Sequence, residues 1–182
     1  MNKSNLLKAV SILQGGDVVA YPTEAVYGLG CDPFNQQAVE KLFHVKQRPV
    51  EKGVILVAAS VEQILPYVQL MQMPWEQEVL ASWPGPVTWV LPLKQSMPEW
   101  VTGGRDTVAI RVSDHPIVQQ LCQAFGQPIV STSANLTNQP PAKSCDEVVE
   151  IFGEELFCLQ GALGGLEKPT QIRDAQSGQV LR

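Results

Sequence analysis

Apolar residues recur along this chain in short bursts that alternate between two spacings. Leu6, Val10 and Leu13 fall on one face of a helix over residues 5–14, and Gly15-Gly16 ends it. Residues 18–21 are apolar without a break, the mark of a buried strand. A helical stripe returns at Val39, Leu42 and Phe43, in a segment from 35 to about 44. Residues 54–57 predict a second strand, and Ser60 is placed to cap a helix running towards Val68. Residues 75–83 are expected to be helical and to stop at Pro84-Gly85-Pro86. Strands are predicted at 87–91 and 107–112. A helix is predicted over 116–125, with proline at its start and Gly126 just past its end. A strand at 128–131, a helix at 146–152 capped by Ser144, and two short strands near Phe157 and Ile172 complete the pattern.

Strands alternating with helices define an α/β domain with one sheet. The 182 residues, 45% of them hydrophobic, are enough for one sizeable core and most simply form a single domain. The connections at 92–106 and 160–170 are long and rich in Gly and Pro, and ordered loops of that kind tend to line sites. No apolar run approaches the ~18 residues of a membrane-spanning helix. The opening MNKSNLLKAVSILQGG has its apolar stretch broken by Lys8, Ser11 and Gln14, so an amphipathic helix is expected rather than a signal sequence. The four cysteines contain no CxxC, and only His44 and His115 accompany them, which argues against zinc. Reduced, mostly buried thiols in a cytoplasmic protein are expected.

Charge then changes the picture. The formal net charge is −5, yet KQRPVEKG (46–53) gathers Lys46, Arg48 and Lys52 just before a buried strand. A solvated helix end, where cations meet the C-terminal dipole, is one account. The other is an anion site: Pro49 stops the helix and stiffens the turn, and a lysine and arginine mixture suits a polyphosphate. VSTSAN (130–135) places three hydroxyls and an amide at a strand end. They serve either as turn caps or as a hydrogen-bonding rim for a polar ligand. Arg111, flanked by apolar neighbours in VAIRV, needs a carboxylate from the protein, with Asp106, Asp114 and Asp174 as candidates, or an anionic ligand. Thr23 and Glu24 after Pro22 fit a turn. His115 before Pro116 reads as a helix-start residue rather than a base, and His44 as structural. No P-loop, no complete dinucleotide fingerprint and no GxSxG occurs.

Together, YPTEAVYGLG, KQRPVEKGVILVA, WPGPVTWVLP, TVAIRVSDHP and VSTSAN resemble, in order and spacing, the YrdC-type family of threonylcarbamoyl-AMP synthases, in its short bacterial form. The resemblance runs from about residue 5 onward. It implies a YrdC-like single domain over 1–182, with a twisted mixed sheet flanked by helices and a concave basic groove. It also implies a reaction: L-threonine, bicarbonate or CO2 and ATP give L-threonylcarbamoyl-AMP and pyrophosphate. Other proteins then transfer the threonylcarbamoyl group to the adenosine next to the tRNA anticodon. By position, Lys46, Arg48 and Lys52 would hold the ATP phosphates. Thr107, Ser133, Asn135 and Arg182 would contact nucleotide or phosphate. Thr23, Arg111, Ser131 and Thr170 would form the threonine pocket. Thr170 stands where relatives usually carry Ser, and Ala25 where many carry Thr. No catalytic nucleophile is expected, and no protein ligand for a metal; Mg²⁺ is expected to arrive with ATP. The competing reading is an RNA-binding module that uses the same groove without chemistry, which low aromatic content and the lack of RNP- or KH-like patterns disfavour.

Overall fold

The computed structural model describes residues 2–49 and 53–182. Asparagine or serine side chains cap the starts of three of its helices. Asn2 accepts from Ser4 N at the start of α1 (Lys3–Gln14), Asn35 from Ala38 N at α2 (Gln36–Lys46), and Ser144 from Glu147 N at α6 (Cys145–Phe152). Each satisfies a first-turn N–H that has no partner within the helix. α5 (Pro116–Phe125) carries proline in its first turn and ends at left-handed Gly126, as its sequence predicts. The short helices α3 (Glu76–Ala81) and α4 (Glu99–Thr102) complete the helical set among the described residues.

The strands are β1 (Val19–Pro22), β2 (Tyr27–Gly30), β3 (Ile55–Ala58), β4 (Val87–Pro92), β5 (Thr107–Val112), β6 (Ile129–Ser133) and β7 (Gln171–Asp174). They form one mixed sheet in the order β1-β2-β6-β3-β5-β4-β7. β3 pairs parallel with β5, and β4 with β7; the other neighbours are antiparallel. Successive strand side chains point to opposite faces, and the burial pattern follows that period. Val19, Tyr21, Val57 and Ile129 pack with Ala9, Leu13, Val118 and Leu121 of α1 and α5. Ala20, Leu56, Ala58, Ile110 and Val130 face the other way, onto Val39 and Leu42 of α2, Val79 of α3 and Val148 of α6. The protein is thus one α/β domain with helices on both faces of its sheet.

Several expectations change. The segment after Ser60 forms tight turns, with Ile64 N bonded to Val61 O at 3.0 Å and Tyr67 N to Ile64 O at 2.9 Å. Pro66 has no N–H to continue a helical ladder. β2 escapes the apolar-run criterion because two of its four residues are glycine. A Cβ on Gly30 would lie 2.6 Å from Val130 O and 2.7 Å from the Tyr21 ring, so close strand approach demands glycine there. Residues near Phe157 make only a bridge to β1, through Ala20 N to Phe157 O and Leu159 N to Ala20 O.

Cysteine pairing also differs from expectation. Cys145 and Cys158 form a disulfide with Cα atoms 5.8 Å apart, while Cys31 and Cys122 are free and buried. The partners are 13 residues apart in sequence, a spacing that carries no cue. They meet because the first residue of α6 lies beside the chain running along β1. Closing a loop of that length constrains the unfolded chain by about 3 kcal/mol. Changing both cysteines to serine is expected to lower unfolding stability by about that amount in urea titrations. An unchanged midpoint would contradict a stabilising crosslink.

Candidate active site

α1 and α5 cover only one end of their face of the sheet. Beyond them, the same side-chain parity continues as the floor of a cavity of about 690 Å³, within the ~300–1,000 Å³ usual for small-molecule sites. The strand register draws this floor. Ser131 is opposite Ile55, Ile55 opposite Ala109, Ala109 opposite Val90, and Val90 opposite Asp174. All five line the cavity. On β5, Thr107, Ala109 and Arg111 face it, while Ile110 and Val112 point into the core and Val108, a core residue, also reaches the lining. A single strand therefore supplies both core and site, by alternation alone.

Four arginines reach the lining: Arg48, Arg105, Arg111 and Arg182. Asp174 is the only carboxylate in the lining among the described residues. Arg48 donates to Gly53 O at 3.0 Å, Arg105 to Thr102 O at 3.1 Å and Arg182 to Thr170 O at 3.2 Å. Burial, and then the charge of Arg182, holds the Arg48 guanidinium below its ordinary pKa; burial, and then Arg111, does the same to Arg182. These cations feel one another, and an anion between them would relieve both penalties. Arg48 Nε and Arg111 Nε are buried without a hydrogen-bond partner among the described residues.

Arg111 is the most constrained of the four. Its NH1 donates to Thr170 Oγ1 at 2.7 Å, and its NH2 lies 3.1 Å from Glu24 Oε2. None of the aspartates proposed from sequence is its partner. Thr23 donates its hydroxyl into its own turn, to Val26 O at 2.7 Å, so it presents a methyl group and lone pairs to the cavity. Ser131 is buried on the floor.

Lys46 is placed unexpectedly. It is 3% exposed and donates to Ser133 O, to Asn135 O at 2.9 Å and to Asn135 Oδ1 at 3.4 Å. Asn135 also accepts from Ser133 Oγ and donates to the Leu136 and Gln139 carbonyls. Thr137 Oγ1 closes the arrangement on the carbonyls of Lys46 and Gln47. Lys46 therefore ties the C-terminus of α2 to the end of β6. Burial, reinforced by Arg48, pushes its pKa down to about 8.

Of the residues singled out in the sequence, Thr23, Arg48, Thr107, Arg111, Ser131, Ser133, Thr170 and Arg182 line one cavity. Lys46 and Asn135 are outside the lining, joined to each other at the end of β6. Lys52 is outside the described residues. Arg105, Asp174 and Gly28 also line the cavity and were not anticipated. Arg105 follows Gly103-Gly104 in the long 92–106 connection, and a cation in such a loop was the available signal. His115 caps α5 through Nδ1, which accepts from Ile117 N, and its Nε2 is 3.1 Å from Ala162 O, a structural role.

An α/β sheet whose half-covered face carries an arginine-lined cavity with hydroxyls on its floor has the chemistry to hold a small anionic molecule. The chain belongs to the Sua5/YciO/YrdC family, whose model, described as telomere recombination, matches residues 11–182. Threonylcarbamoyl-AMP synthase of Vibrio campbellii is 52% identical over 98% of each chain, and that of Photobacterium profundum 55% identical over 98% of each. P. abyssi Sua5 complexed with L-threonine superposes with a TM-score of 0.90 at 34% identity, over 100% of this chain and 54% of that one. This chain thus spans about half of Sua5. E. coli YciO matches with a TM-score of 0.84 at 26% identity, over 100% of this chain and 89% of that one.

Proposed function

We propose that the protein condenses L-threonine, bicarbonate or CO2 and ATP into L-threonylcarbamoyl-AMP, releasing pyrophosphate. The observation that carries this reading is the convergence of Arg48, Arg105, Arg111 and Arg182 with Ser131 and Thr170 in one cavity. The chain's threonylcarbamoyl-AMP synthase relatives, at 52–55% identity over nearly their whole length, support the same activity.

The threonine amine and bicarbonate first form a carbamate. Carbamates decompose readily in water, so a walled cavity that excludes solvent favours the next step. A carbamate oxygen attacks the α-phosphorus of ATP, the bond to the β-phosphate oxygen breaks, and pyrophosphate leaves. No side chain becomes covalently attached. Catalysis is orientation and charge stabilisation. Arg48, Arg182 and Lys52 hold phosphates, Thr107 and Ser133 border the nucleotide, and Arg111 pairs with the threonine carboxylate beside Thr23, Ser131 and Thr170. Arg105 adds a fourth cation to the wall. Lys46 and Asn135 act by fixing the β6 end and by the nearby ammonium charge.

Mg²⁺ would come with the triphosphate. Asp174 offers a single carboxylate, and its Oδ1 already accepts from the Ser177 N–H and hydroxyl. The described residues contain no cluster of three metal ligands. This donor set suits an ion carried mainly on phosphate oxygens and water, which supplies further neutralisation of the triphosphate. No helix among the described residues is long and apolar enough to cross a membrane. A cytoplasmic place, tRNA as the eventual acceptor and separate threonylcarbamoyl-transfer proteins complete the proposal. They fit a labile product that must be consumed where tRNA is.

Omission of one substrate at a time tests the reading: pyrophosphate should form only with ATP, threonine and bicarbonate together, and release from ATP alone would contradict it. A second expectation concerns pH. Lys46 is charged below about 8 and neutral above it. ATP affinity, measured without threonine so that the substrate amine does not contribute, should fall as pH rises through that value. Once bound, phosphate holds the proton on Lys46, so kcat should vary less than kcat/KM. An ATP Kd flat from pH 7 to 9.5 would contradict an electrostatic role for Lys46.

A further inference from the structure

We propose that Glu24 is a positioning residue for this reaction, aligning Arg111 for the carboxylate of the amino-acid substrate. The proposal rests on the reading of Arg111 given above.

Glu24 does not line the main cavity, yet it is 3% exposed and held from both sides. Its Oε1 accepts from Ser113 Oγ at 2.6 Å, and its Oε2 pairs with Arg111 at 3.1 Å. Its backbone is fixed too. Leu166 N donates to Glu24 O at 2.9 Å, and Gly164 N to the neighbouring Thr23 O at 3.0 Å. A Cβ on Gly164 would lie 2.9 Å from Glu24 Cα, so the 161–170 segment rests directly on this residue. That segment goes on to Thr170, whose hydroxyl accepts from Arg111 NH1. One loop therefore supports both acceptors that orient the guanidinium.

Stability alone does not account for this pair. The side chains are 6% and 4% exposed, and burying two charges costs roughly what their attraction returns. What the pair does fix is direction. With NH1 committed to Thr170 and NH2 facing Glu24, Arg111 cannot rotate about its long stem. Nε–H is left as a buried donor without an acceptor among the described residues. A buried unpaired donor at a cavity wall is unfavourable until a ligand oxygen meets it. Ser113 in turn orients Glu24 and also caps the turn through His115 N at 3.1 Å. The chain of contacts Ser113–Glu24–Arg111 leads from the start of α5 to the cavity.

The test uses Glu24→Gln in the full chain. Glutamine keeps the length and can still accept from Ser113, but it turns an amide towards Arg111 in place of an anion. Losing one charge-assisted contact predicts an apparent threonine KM raised about tenfold or more, with the ATP KM changed less than about twofold. Ser113→Ala, which leaves the charge pair, is expected to raise the threonine KM about threefold in the same selective way, and it decides the matter should Glu24→Gln fail to fold. In the double variant with Arg111→Ala, the glutamine should add nothing further to the threonine KM. Equal increases in both KM values, or additive effects in the double variant, would overturn the positioning role and leave a structural one. If Arg111→Ala itself leaves the threonine KM unchanged, the reading of Arg111 fails instead, whatever Glu24 does. If Arg111→Ala raises it and Glu24→Gln does not, only the Glu24 proposal falls.

Discussion

Arg111→Ala should raise the apparent threonine KM about a hundredfold while the ATP KM moves far less. One charge-assisted hydrogen bond to a carboxylate is worth about 1.5–3 kcal/mol, and the upper end of that range, about a hundredfold, sets the scale. The effect has a second component within the protein. Removing Arg111 leaves the buried Glu24 carboxylate without its cation, and breaking one side of such a pair costs about 3–5 kcal/mol. The variant is therefore expected to melt earlier as well, so its kinetics belong at a temperature where it is fully folded. Arg111→Lys should fall between, because it restores charge but not the planar fork that meets Thr170 and Glu24 together. An unchanged threonine KM with a raised ATP KM would move Arg111 to the nucleotide side of the cavity.

Arg48→Ala carries the second large effect, with the opposite stability signature. Among the described residues Arg48 donates to Gly53 O, and burial, and then the charge of Arg182, disfavours its charge in the unliganded cavity. Alanine therefore removes a repulsion along with a hydrogen bond, and the fold should hold to within about 1 kcal/mol. Activity should not hold. A preorganised cation facing a charged transition state contributes on the order of 10²–10³ in rate, so pyrophosphate release should fall by that factor. The remaining activity should also depend less on ionic strength, since one screened charge is gone. Turnover near that of the parent protein would exclude Arg48 from the phosphate site.

The two variants show how the site is built, and how far the sequence discloses it. Alternation in TVAIRV is enough to place Arg111 on the face away from Val108, Ile110 and Val112, and VSTSAN marks the strand end beside it. The local elements follow from caps and stripes, with α5 located to the residue. What sequence does not disclose is register. That Ser131, Ile55, Ala109, Val90 and Asp174 form one row across five strands depends on backbone pairing between distant segments. The partner of Arg111 is hidden for the same reason. Asp106, Asp114 and Asp174 are near in sequence or pattern, but β1 and the turn after it bring Glu24 to the guanidinium. Lys46 illustrates a different limit. A cation ending a helix reads as solvated or as ligand-binding, and only the position of the β6 end shows it buried against carbonyl oxygens. β2 escaped notice because glycine packs closely there while scoring poorly as a strand former.

The proposed reaction requires one cavity to bring an amino acid, a one-carbon unit and a nucleotide into bonding range. Incubating the protein with ATP, threonine and ¹³C-labelled bicarbonate, then trapping products at once for mass spectrometry, tests it most directly. An adenylate containing threonine and the labelled carbon should form in step with pyrophosphate, and its yield should drop sharply in the Arg48→Ala protein and, at sub-saturating threonine, in the Arg111→Ala protein. Pyrophosphate or AMP formed without label in any threonine-bearing adenylate would contradict it.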